Sequence, residues 1–212
     1  MTAAVICNGA FPKKEYPRYL ISQSDVVICC DGAFRAWLRA YPERLPDRIV
    51  GDMDSLPKSL REKYAGIVVH YEEQEYNDQT KAVRYLAENC PQVTQVRIFA
   101  ATGKREDHTI GNISLLMEYQ RMFPGRFESI EMVSDHSTMF AVTDTVELAV
   151  GQGRTVSIIS PDNSLSITSE GLQWQTSGVV FDNWWKATLN RAESDVVKLV
   201  FSHPSMALII LP

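Results

Sequence analysis

Residues 96–112 read VRIFAATGKREDHTIGN. The stretch opens with a mainly apolar run, Val96–Ala100, turns at Gly103 and continues into a segment with helical spacing, Thr109–Met122. A strand without polar alternation is typical of one buried on both faces. A buried strand followed by a helix indicates a unit of a parallel α/β sheet.

The same pattern repeats along the first two-thirds of the chain. Helical spacing follows or separates the apolar runs at Ala33–Arg39 and Asp78–Asn89. Further short runs rich in β-branched residues predict strands at Ala3–Cys7, Val26–Cys30, Arg48–Val50, Ile67–Tyr71 and Ile130–Val133. Strands that alternate with helices predict an N-terminal α/β domain with a parallel sheet.

Near residue 140 the pattern changes to short alternating runs separated by turn residues. These predict strands at Thr145–Val150, Arg154–Ile159, Ser164–Thr168, Val179–Phe181, Asp195–Phe201 and Met206–Leu211. No long helical pattern occurs there, which favours a small antiparallel β-sandwich or partial barrel. We therefore predict two domains, 1–140 and 141–212. Because a junction between domains is a common place for a ligand, the sequence also suggests a binding site there.

Composition excludes several classes of protein. The net charge of −5 argues against a nucleic-acid binder with a broad basic surface. The four cysteines show no metal-ligand spacing, which predicts reduced, buried thiols in a cytosolic protein. We expect no signal peptide and no membrane span, and hence a cytoplasmic location.

Acidic residues follow several predicted strands. Asp31 follows the second strand, Asp52 and Asp54 the third, and Asp78 comes after the fourth. Because ligands bind beyond the carboxyl ends of parallel strands, these side chains are expected at one edge. Crowded carboxylates repel one another, and a shared Mg²⁺ would relieve that repulsion. The plainer alternative is a set of polar loops.

Basic residues in TGKREDH complement the acids. Lys104 and Arg105 precede a helix start, where free N–H groups attract phosphate. Asp107 either caps that helix or serves as a ligand. Lys81 lies one helical turn after Asp78, so the two can share a face. No Walker A or GxGxxG motif occurs, which excludes a P-loop enzyme and disfavours a dinucleotide site.

With these motifs the sequence resembles the thiamin pyrophosphokinase family. The matching segments are Asn8-Gly9, Asp31–Ala33, Gly51–Ser55, Asn77–Ala82 and Thr102–Asn112, and weaker matches occur at Gly171–Trp174 and Ala187–Ala192. The resemblance implies an ATP-binding α/β domain, a thiamine-binding β domain and a homodimer with thiamine at the subunit interface. It also implies a Mg²⁺-dependent transfer of pyrophosphate from ATP to thiamine, which yields thiamine diphosphate and AMP.

The resemblance also implies roles for individual residues. Metal ligands would be Asp52, Asp54 and Asp78, which with the phosphate-binding Lys81 and Arg105 form the catalytic set. The remaining ATP contacts would be Asn8, Asp31, Gly32, Thr102, Gly103, Lys104, Asp107, His108 and Asn112. Thiamine would be held by Trp174, Thr188 and Asn190, with Trp184 and Trp185 as alternative stacking residues.

Two departures from the family pattern concern the binding details. The family usually has Asp-x-Thr-Asp where this chain has Glu75-Tyr76-Asn77-Asp78, and Leu189 replaces a hydroxyl residue next to Thr188.

Two other functions stay open at this point. One is a pyrophosphokinase for another alcohol such as a hydroxymethylpterin, which the tryptophans of the β domain disfavour. The other is a non-catalytic sensor of thiamine or nucleotide, which the full acidic set disfavours.

Overall fold

A computed structural model describes all 212 residues, and they form two compact units. The first unit comprises residues 1–115 and 122–135, and the second comprises residues 116–121 and 136–212. The boundary at residue 140 stays a prediction, because compactness alone does not define where a domain ends.

The first unit contains a six-stranded parallel sheet. Its strands are β1 (Thr2–Ile6), β2 (Val26–Cys30), β3 (Arg48–Gly51), β4 (Val68–His70), β5 (Gln95–Phe99) and β6 (Ser129–Val133). Their spatial order is β6-β5-β1-β2-β3-β4, and every neighbouring pair is parallel. The chain builds the sheet outward from β1 in one direction and from β5 in the other. The gap beyond the ends of β1 and β5 is therefore a topological switch point, where α/β sheets bind ligands.

Burial explains the apolar strand sequences. Residues Ala3–Ile6 of β1 are each 0% exposed, so neither face of this strand meets water. The same applies to most of β2, whose Val27–Cys29 are also fully buried. A parallel strand covered on both faces needs apolar side chains at every position. The predicted α/β domain with a parallel sheet is therefore confirmed.

Five α-helices accompany these strands. They are α1 (Glu15–Ser22), α2 (Phe34–Ala40), α3 (Lys58–Lys63), α4 (Asp78–Asn89) and α5 (Glu106–Met122). The spacing predicted α4 at its observed bounds, whereas α5 begins three residues before the predicted Thr109. Two helices were not predicted. Helix α1 is short and buries only Pro17 and Ile21, and α3 buries no residue at all. None of the five helices is long and apolar enough to cross a membrane.

Arg126 closes the carboxyl end of α4. Its guanidinium donates hydrogen bonds to the carbonyl oxygens of Ala87 (3.0 Å), Val93 (2.7 Å), Leu86 (3.0 Å) and Cys90 (2.8 Å). The last carbonyls of a helix have no partner within the helix, and a cation also suits the negative end of the helix dipole. One side chain thus satisfies several carbonyls in and after the last turn of α4.

We expect Arg126→Met to lower the free energy of unfolding by about 3 kcal/mol, because hydrogen bonds from a charged group contribute roughly 1.5–3 kcal/mol each and are not additive. Urea unfolding followed by circular dichroism measures the change. Arg121→Met is the matched control, since Arg121 is 54% exposed and pairs only with Glu118 at 2.8 Å. Equal stability of the two variants would contradict a capping role for Arg126.

The second unit contains two antiparallel arrays. Its strands are β7 (Thr138–Val142), β8 (Val146–Ala149), β9 (Thr155–Ile159), β10 (Ile167–Glu170), β11 (Ala187–Arg191), β12 (Val196–Phe201) and β13 (Ala207–Leu211). One array has the order β11-β9-β13-β7 and the other β10-β12-β8. Buried side chains such as Ile158, Ile167, Leu199 and Ile209 share one core. The predicted small antiparallel β domain is therefore observed.

Some strand predictions in this unit were wrong. Val179–Phe181 is not a strand: Val179 N–H closes a turn onto Thr176 O (2.9 Å), and Phe181 buries its ring in the core without a ladder partner. The run at Ser164–Thr168 becomes a strand only from Ile167. β7 and β11 were missed. In β11 the alternation is broken at Leu189, which has φ 60° beside a register shift, so the apolar period of a strand is not visible.

Candidate functional site

Three aspartates meet at the carboxyl edge of the parallel sheet. Asp31 follows β2, Asp52 follows β3 and Asp78 is the first residue of α4. Each contributes a carboxylate oxygen to a cluster in which these atoms all lie within 4.8 Å of one another. Oxygen ligands at such distances suit a hard divalent cation such as Mg²⁺. The cluster draws on three separate elements, so its geometry depends on the order of the strands.

Gly51 makes this convergence possible. It is the last residue of β3, and a Cβ placed on it would lie 2.9 Å from the carboxyl carbon of Asp31 and 3.1 Å from a carboxylate oxygen of Asp78. Any side chain at this position would push at least one aspartate away. The glycine in the GDMDS motif is therefore required by close packing and not by an unusual φ.

We expect Gly51→Ala to lower the rate of the pyrophosphate transfer expected from the sequence about 10²-fold, since a displacement near 1 Å in a reacting site has an effect of that size. Initial rates measured at saturating substrate test this. Gly66→Ala is the matched control, because no atom lies within 4 Å of the position that its Cβ would take. The explanation fails if both variants retain wild-type rates.

A single buried lysine faces the aspartates. Lys81 is 1% exposed, and its Nζ lies 3.6 Å from a carboxylate oxygen of Asp78 and 3.9 Å from one of Asp52. The predicted shared face of Asp78 and Lys81 is thus observed, one turn apart on α4. One ammonium against three carboxylates leaves the cluster short of positive charge, which is the charge balance expected of a cation site.

The carboxylates differ in their electrostatic environment. Burial, and next the nearby carboxylate of Asp31, raise the pKa of Asp78 to about 7. The pKa of Asp52 is lowered, chiefly because its carboxylate accepts a hydrogen bond from the backbone N–H of Asp54 at 3.1 Å. Asp31 is 2% exposed and accepts from the Ser55 N–H at 3.3 Å. Without a bound cation these carboxylates repel one another, and this repulsion raises the affinity of the site for a cation.

Asp54 was predicted as a metal ligand, and its side chain is not part of the cluster. The residue is exposed, and its backbone rather than its carboxylate contacts Asp52. Met53 between the two aspartates has φ 70°, so the loop turns sharply after Asp52. Spacing alone could not separate the two acids. Asp31, which was predicted only as an ATP contact, is the third member of the cluster. The metal role of Asp54 stays a prediction.

A cavity of about 380 Å³ opens beside the aspartates in the first unit. Asp31 and Asp78 form part of its wall, and the segments after β1 and β5 form much of the rest, as expected at the switch point. Its lining includes most of the residues predicted to contact ATP: Asn8, Asp31, Thr102, Lys104, Arg105, His108 and Asn112. Gly32, Gly103 and Asp107 are absent from the lining, although each is next to a residue that belongs to it.

Basic side chains lie on the wall of the cavity contributed by residues 102–109. The Lys104 ammonium donates to Asn8 Oδ1 at 3.0 Å. Arg105 Nε donates a hydrogen bond to the Asp107 carboxylate at 3.1 Å. This bond is the main reason why the pKa of Asp107 is lowered to about 2. Asp107 lies in the first turn of α5 and not before it, so it is not the N-cap that the sequence suggested. Its Oδ1 accepts a hydrogen bond from the backbone N–H of His108 at 2.8 Å. The exposed Arg105 can exchange this partner for a phosphate.

Sequence reasoning missed several residues of the cavity wall, namely Cys7, Cys30, Ser55, Asn77, Gln79 and Thr109. The two cysteines belong to an apolar run or follow one, so a core position was the natural interpretation. Asn77 carried a usable signal, since an asparagine directly before a helical pattern is a preferred N-cap. Its Oδ1 does accept from Thr80 N–H at 3.0 Å.

In the second unit, the residues predicted to bind thiamine lie on or near β11. Asn190 is buried, donates to Trp174 O at 2.6 Å and accepts from Trp174 N–H at 3.1 Å, so it fixes the backbone that carries this tryptophan. Thr188 donates its hydroxyl hydrogen bond to Trp185 O at 2.6 Å. Trp174, Trp184 and Trp185 are exposed residues, at 56%, 57% and 68%, so none of the three belongs to the core. The pair Trp184–Trp185 lies in a turn, so the alternation expected of a strand does not apply.

Comparison with known families matches both parts of the chain. Residues 17–124 match the family model described as thiamin pyrophosphokinase, catalytic domain, and residues 138–206 match thiamin pyrophosphokinase, substrate-binding domain. Two rice proteins are similar in sequence. Thiamine pyrophosphokinase 1 of Oryza sativa subsp. japonica is 26% identical and thiamine pyrophosphokinase 3 is 28% identical, each over 81% of this chain and 72% of the relative.

Solved structures with the same fold include two thiamine pyrophosphokinases. The Bacillus subtilis enzyme superposes with a TM-score of 0.78 at 17% identity, over 100% of this chain and 98% of the other. The yeast enzyme gives a TM-score of 0.79 at 14% identity, over 100% of this chain and 86% of the other. At these identities the superpositions establish the fold, and the family models add the relationship.

Proposed function

The chain belongs to the thiamin pyrophosphokinase family, and from this premise we propose how its residues carry out the reaction. It is an enzyme that makes thiamine diphosphate with ATP as the co-substrate. The alternatives of a pterin pyrophosphokinase and a non-catalytic sensor gain no support. The observation that carries the proposal for the site is the convergence of Asp31, Asp52 and Asp78 beside the cavity of the first unit.

The proposed chemistry transfers the β- and γ-phosphoryl groups of ATP together. The hydroxyl oxygen of thiamine attacks the β-phosphorus, the bond from this phosphorus to the oxygen bridging the α- and β-phosphates breaks, and AMP leaves with that oxygen. The hydroxyl proton passes to a carboxylate of the site or to water. Such a transfer depends mainly on holding the triphosphate in line with the alcohol and on neutralising its charge.

The acidic cluster fits Mg²⁺ as the charge-neutralising cofactor. Its three oxygen donors come from buried or half-buried aspartates, and the single Lys81 ammonium does not balance them. When bound there, Mg²⁺ would neutralise and orient the triphosphate oxygens. We propose Asp31, Asp52 and Asp78 as its holders. The sequence assigned Asp54 instead of Asp31, and the rates of Asp54→Asn and Asp31→Asn distinguish the two sets.

The cations of the site are proposed to hold the phosphates. Lys104 and Arg105 lie on the cavity wall at the start of α5, and Lys81 lies among the aspartates. Arg105 can bind two phosphate oxygens at once through its planar guanidinium. These contacts would keep the β-phosphorus, and not the γ-phosphorus, in reach of the attacking hydroxyl.

Thiamine is proposed to bind on the tryptophan-bearing surface of the second unit. Trp174 is the first candidate because Asn190 holds its backbone and its side chain is exposed, and an exposed indole suits the cationic thiazolium ring. The family resemblance supports a homodimer with thiamine at the subunit interface. The four free, buried cysteines support the predicted reducing, cytoplasmic location.

One assay tests the reaction. Purified protein is incubated with ATP, MgCl₂ and thiamine, and nucleotides and thiamine esters are separated by chromatography. We expect AMP and thiamine diphosphate in equal amounts, and neither product when EDTA removes the metal. Formation of ADP and thiamine monophosphate would contradict pyrophosphoryl transfer. A parallel incubation with a hydroxymethylpterin should yield no AMP, and turnover of that alcohol alone would move the assignment to another acceptor.

A further inference from the structure

Asn112 on α5 is hydrogen-bonded to two separate parts of the nucleotide site. Its Oδ1 accepts from Asn77 Nδ2 at 2.9 Å, and its Nδ2 donates to Ala101 O at 2.8 Å. Its backbone carbonyl also accepts from Gln79 Nε2 at 3.2 Å. Both ends of the side-chain amide are therefore engaged within the protein.

The first partner, Asn77, controls the start of α4. Its Oδ1 caps the helix through Thr80 N–H at 3.0 Å, while its Nδ2 is the donor to Asn112. The next residue is Asp78, whose carboxylate belongs to the acidic cluster. An asparagine has separate atoms for the two bonds, whereas the threonine usual in the family has a single oxygen that would have to serve both.

The second partner, Ala101 O, lies directly before the loop that carries the phosphate-binding cations. Residues 102–105 form that loop, and both Lys104 and Arg105 line the cavity. Lys104 is tied to Asn8 at 3.0 Å on the far side. The hydrogen bond to Ala101 O holds the backbone at the start of the loop and does not engage the side chains of Lys104 and Arg105.

We propose that Asn112 is a positioning residue that couples the acidic cluster to the phosphate-binding loop. Through Asn77 it fixes Asp78, and through Ala101 it fixes residues 102–105, so the metal-holding carboxylates and the phosphate-holding cations keep a set separation. This inference rests on the proposed function, since it assigns both halves to one metal–nucleotide site. It gives Asn112 a role other than the ATP contact implied by the family resemblance.

The test compares Asn112→Ala, Asn77→Ser and the double variant with the wild type. Asn77→Ser keeps a good N-cap for α4 but is too short to reach Asn112, so it removes the coupling without removing the cap. Asn89→Ala is the matched control. Asn89 is exposed at the other end of α4, and its side chain donates a hydrogen bond only to Tyr85 O, at 3.1 Å. Each variant is measured for kcat, for KM of both substrates and for the Mg²⁺ concentration that gives half-maximal rate.

We expect each single variant to lower kcat about 10- to 100-fold and to raise the Mg²⁺ requirement several-fold, since residues that orient metal ligands have effects of roughly this size. KM for thiamine should stay within about twofold, because no thiamine contact changes. The double variant should be no slower than Asn112→Ala, since both substitutions break one shared bond. A purely structural role would lower the unfolding midpoint without raising the Mg²⁺ requirement.

A second readout does not depend on catalysis. Calorimetric titration with Mg²⁺ and a non-hydrolysable ATP analogue should give weaker binding for both single variants and unchanged binding for Asn89→Ala. An unchanged Mg²⁺ requirement and unchanged analogue binding in both single variants would overturn the inference, as would fully additive losses in the double variant. If Asn112→Ala fails to fold, the same criteria apply to Asn77→Ser. Failure of the proposed function is recognised separately, because the wild type would then form no AMP.

Discussion

Asp78→Asn is expected to lower the rate of thiamine diphosphate formation by about 10³-fold, which is the effect typical of removing one preorganised charge interaction from a reacting site. Asparagine keeps the size of the side chain but removes the negative charge. Asp78 lies within the acidic cluster and 3.6 Å from Lys81, so its loss removes a proposed metal ligand and one of the two ion pairs of Lys81. Initial rates of AMP release measure the change.

The metal-free stability of this variant should change little. Asp78 is close to Asp31, and their repulsion disfavours the charged pair in the folded protein. Removing one charge relieves that repulsion, while the loss of an acid at the start of α4 costs about 0.5 kcal/mol. Urea unfolding in EDTA should therefore give a free energy of unfolding within about 1 kcal/mol of the wild type. Loss of activity together with a large loss of stability would indicate a role in folding instead.

Asp54→Asn is the matched control for this experiment. Asp54 lies two residues after Asp52 in the loop that follows β3 and carries the same carboxylate group, yet its side chain is outside the cluster. We expect Asp31→Asn and Asp52→Asn to behave like Asp78→Asn, and Asp54→Asn to retain most of the activity. A severe loss in Asp54→Asn with normal activity in Asp31→Asn would favour the metal set predicted from the sequence over the cluster.

Lys81→Met is expected to lower the free energy of unfolding in the absence of Mg²⁺ by about 3 to 5 kcal/mol, because removing one partner of a buried ion pair leaves the other charges uncompensated. Lys81 is 1% exposed, and methionine fills a similar apolar volume, so lost packing contributes little. The rate should also fall by about 10²-fold or more, since a phosphate contact is lost as well. Urea unfolding in EDTA gives the stability, and AMP release gives the rate.

Magnesium provides an internal check on this second prediction. Without the ammonium, the carboxylates form a more negative site, so Mg²⁺ should raise the unfolding midpoint of Lys81→Met more than that of the wild type. Lys58→Met is the control, since the Lys58 side chain is 89% exposed and pairs with Glu62 at 3.8 Å on the surface. Pairs of that kind contribute about 0–1 kcal/mol. A Lys81→Met protein as stable as Lys58→Met would show that the ion pairs of Lys81 are not needed in the fold.

Local pattern was a good guide where burial is complete. The runs that became β1 and β2 are apolar at nearly every position because both faces of these parallel strands are covered, and this is visible in the sequence. The pattern was a poor guide where few side chains meet the core. Helix α1 buries only Pro17 and Ile21, α3 buries no residue, and the pairing of β11 contains a register shift. The apolar run Val179–Phe181 places Phe181 in the core without forming a strand.

The sequence by itself determined the fold class, the family resemblance and the segments from which the site is built, since strand ends and helix starts follow from local pattern. Only the tertiary structure decided which acids meet. Asp31, Asp52 and Asp78 are distant in the chain and converge because β2 and β3 are neighbours and Gly51 leaves room between them. The hydrogen bond between Asn112 and Asn77 likewise joins α5 to the residue that caps α4, across 35 positions of sequence. Such contacts depend on the order of the strands and on side-chain direction, which no local period encodes.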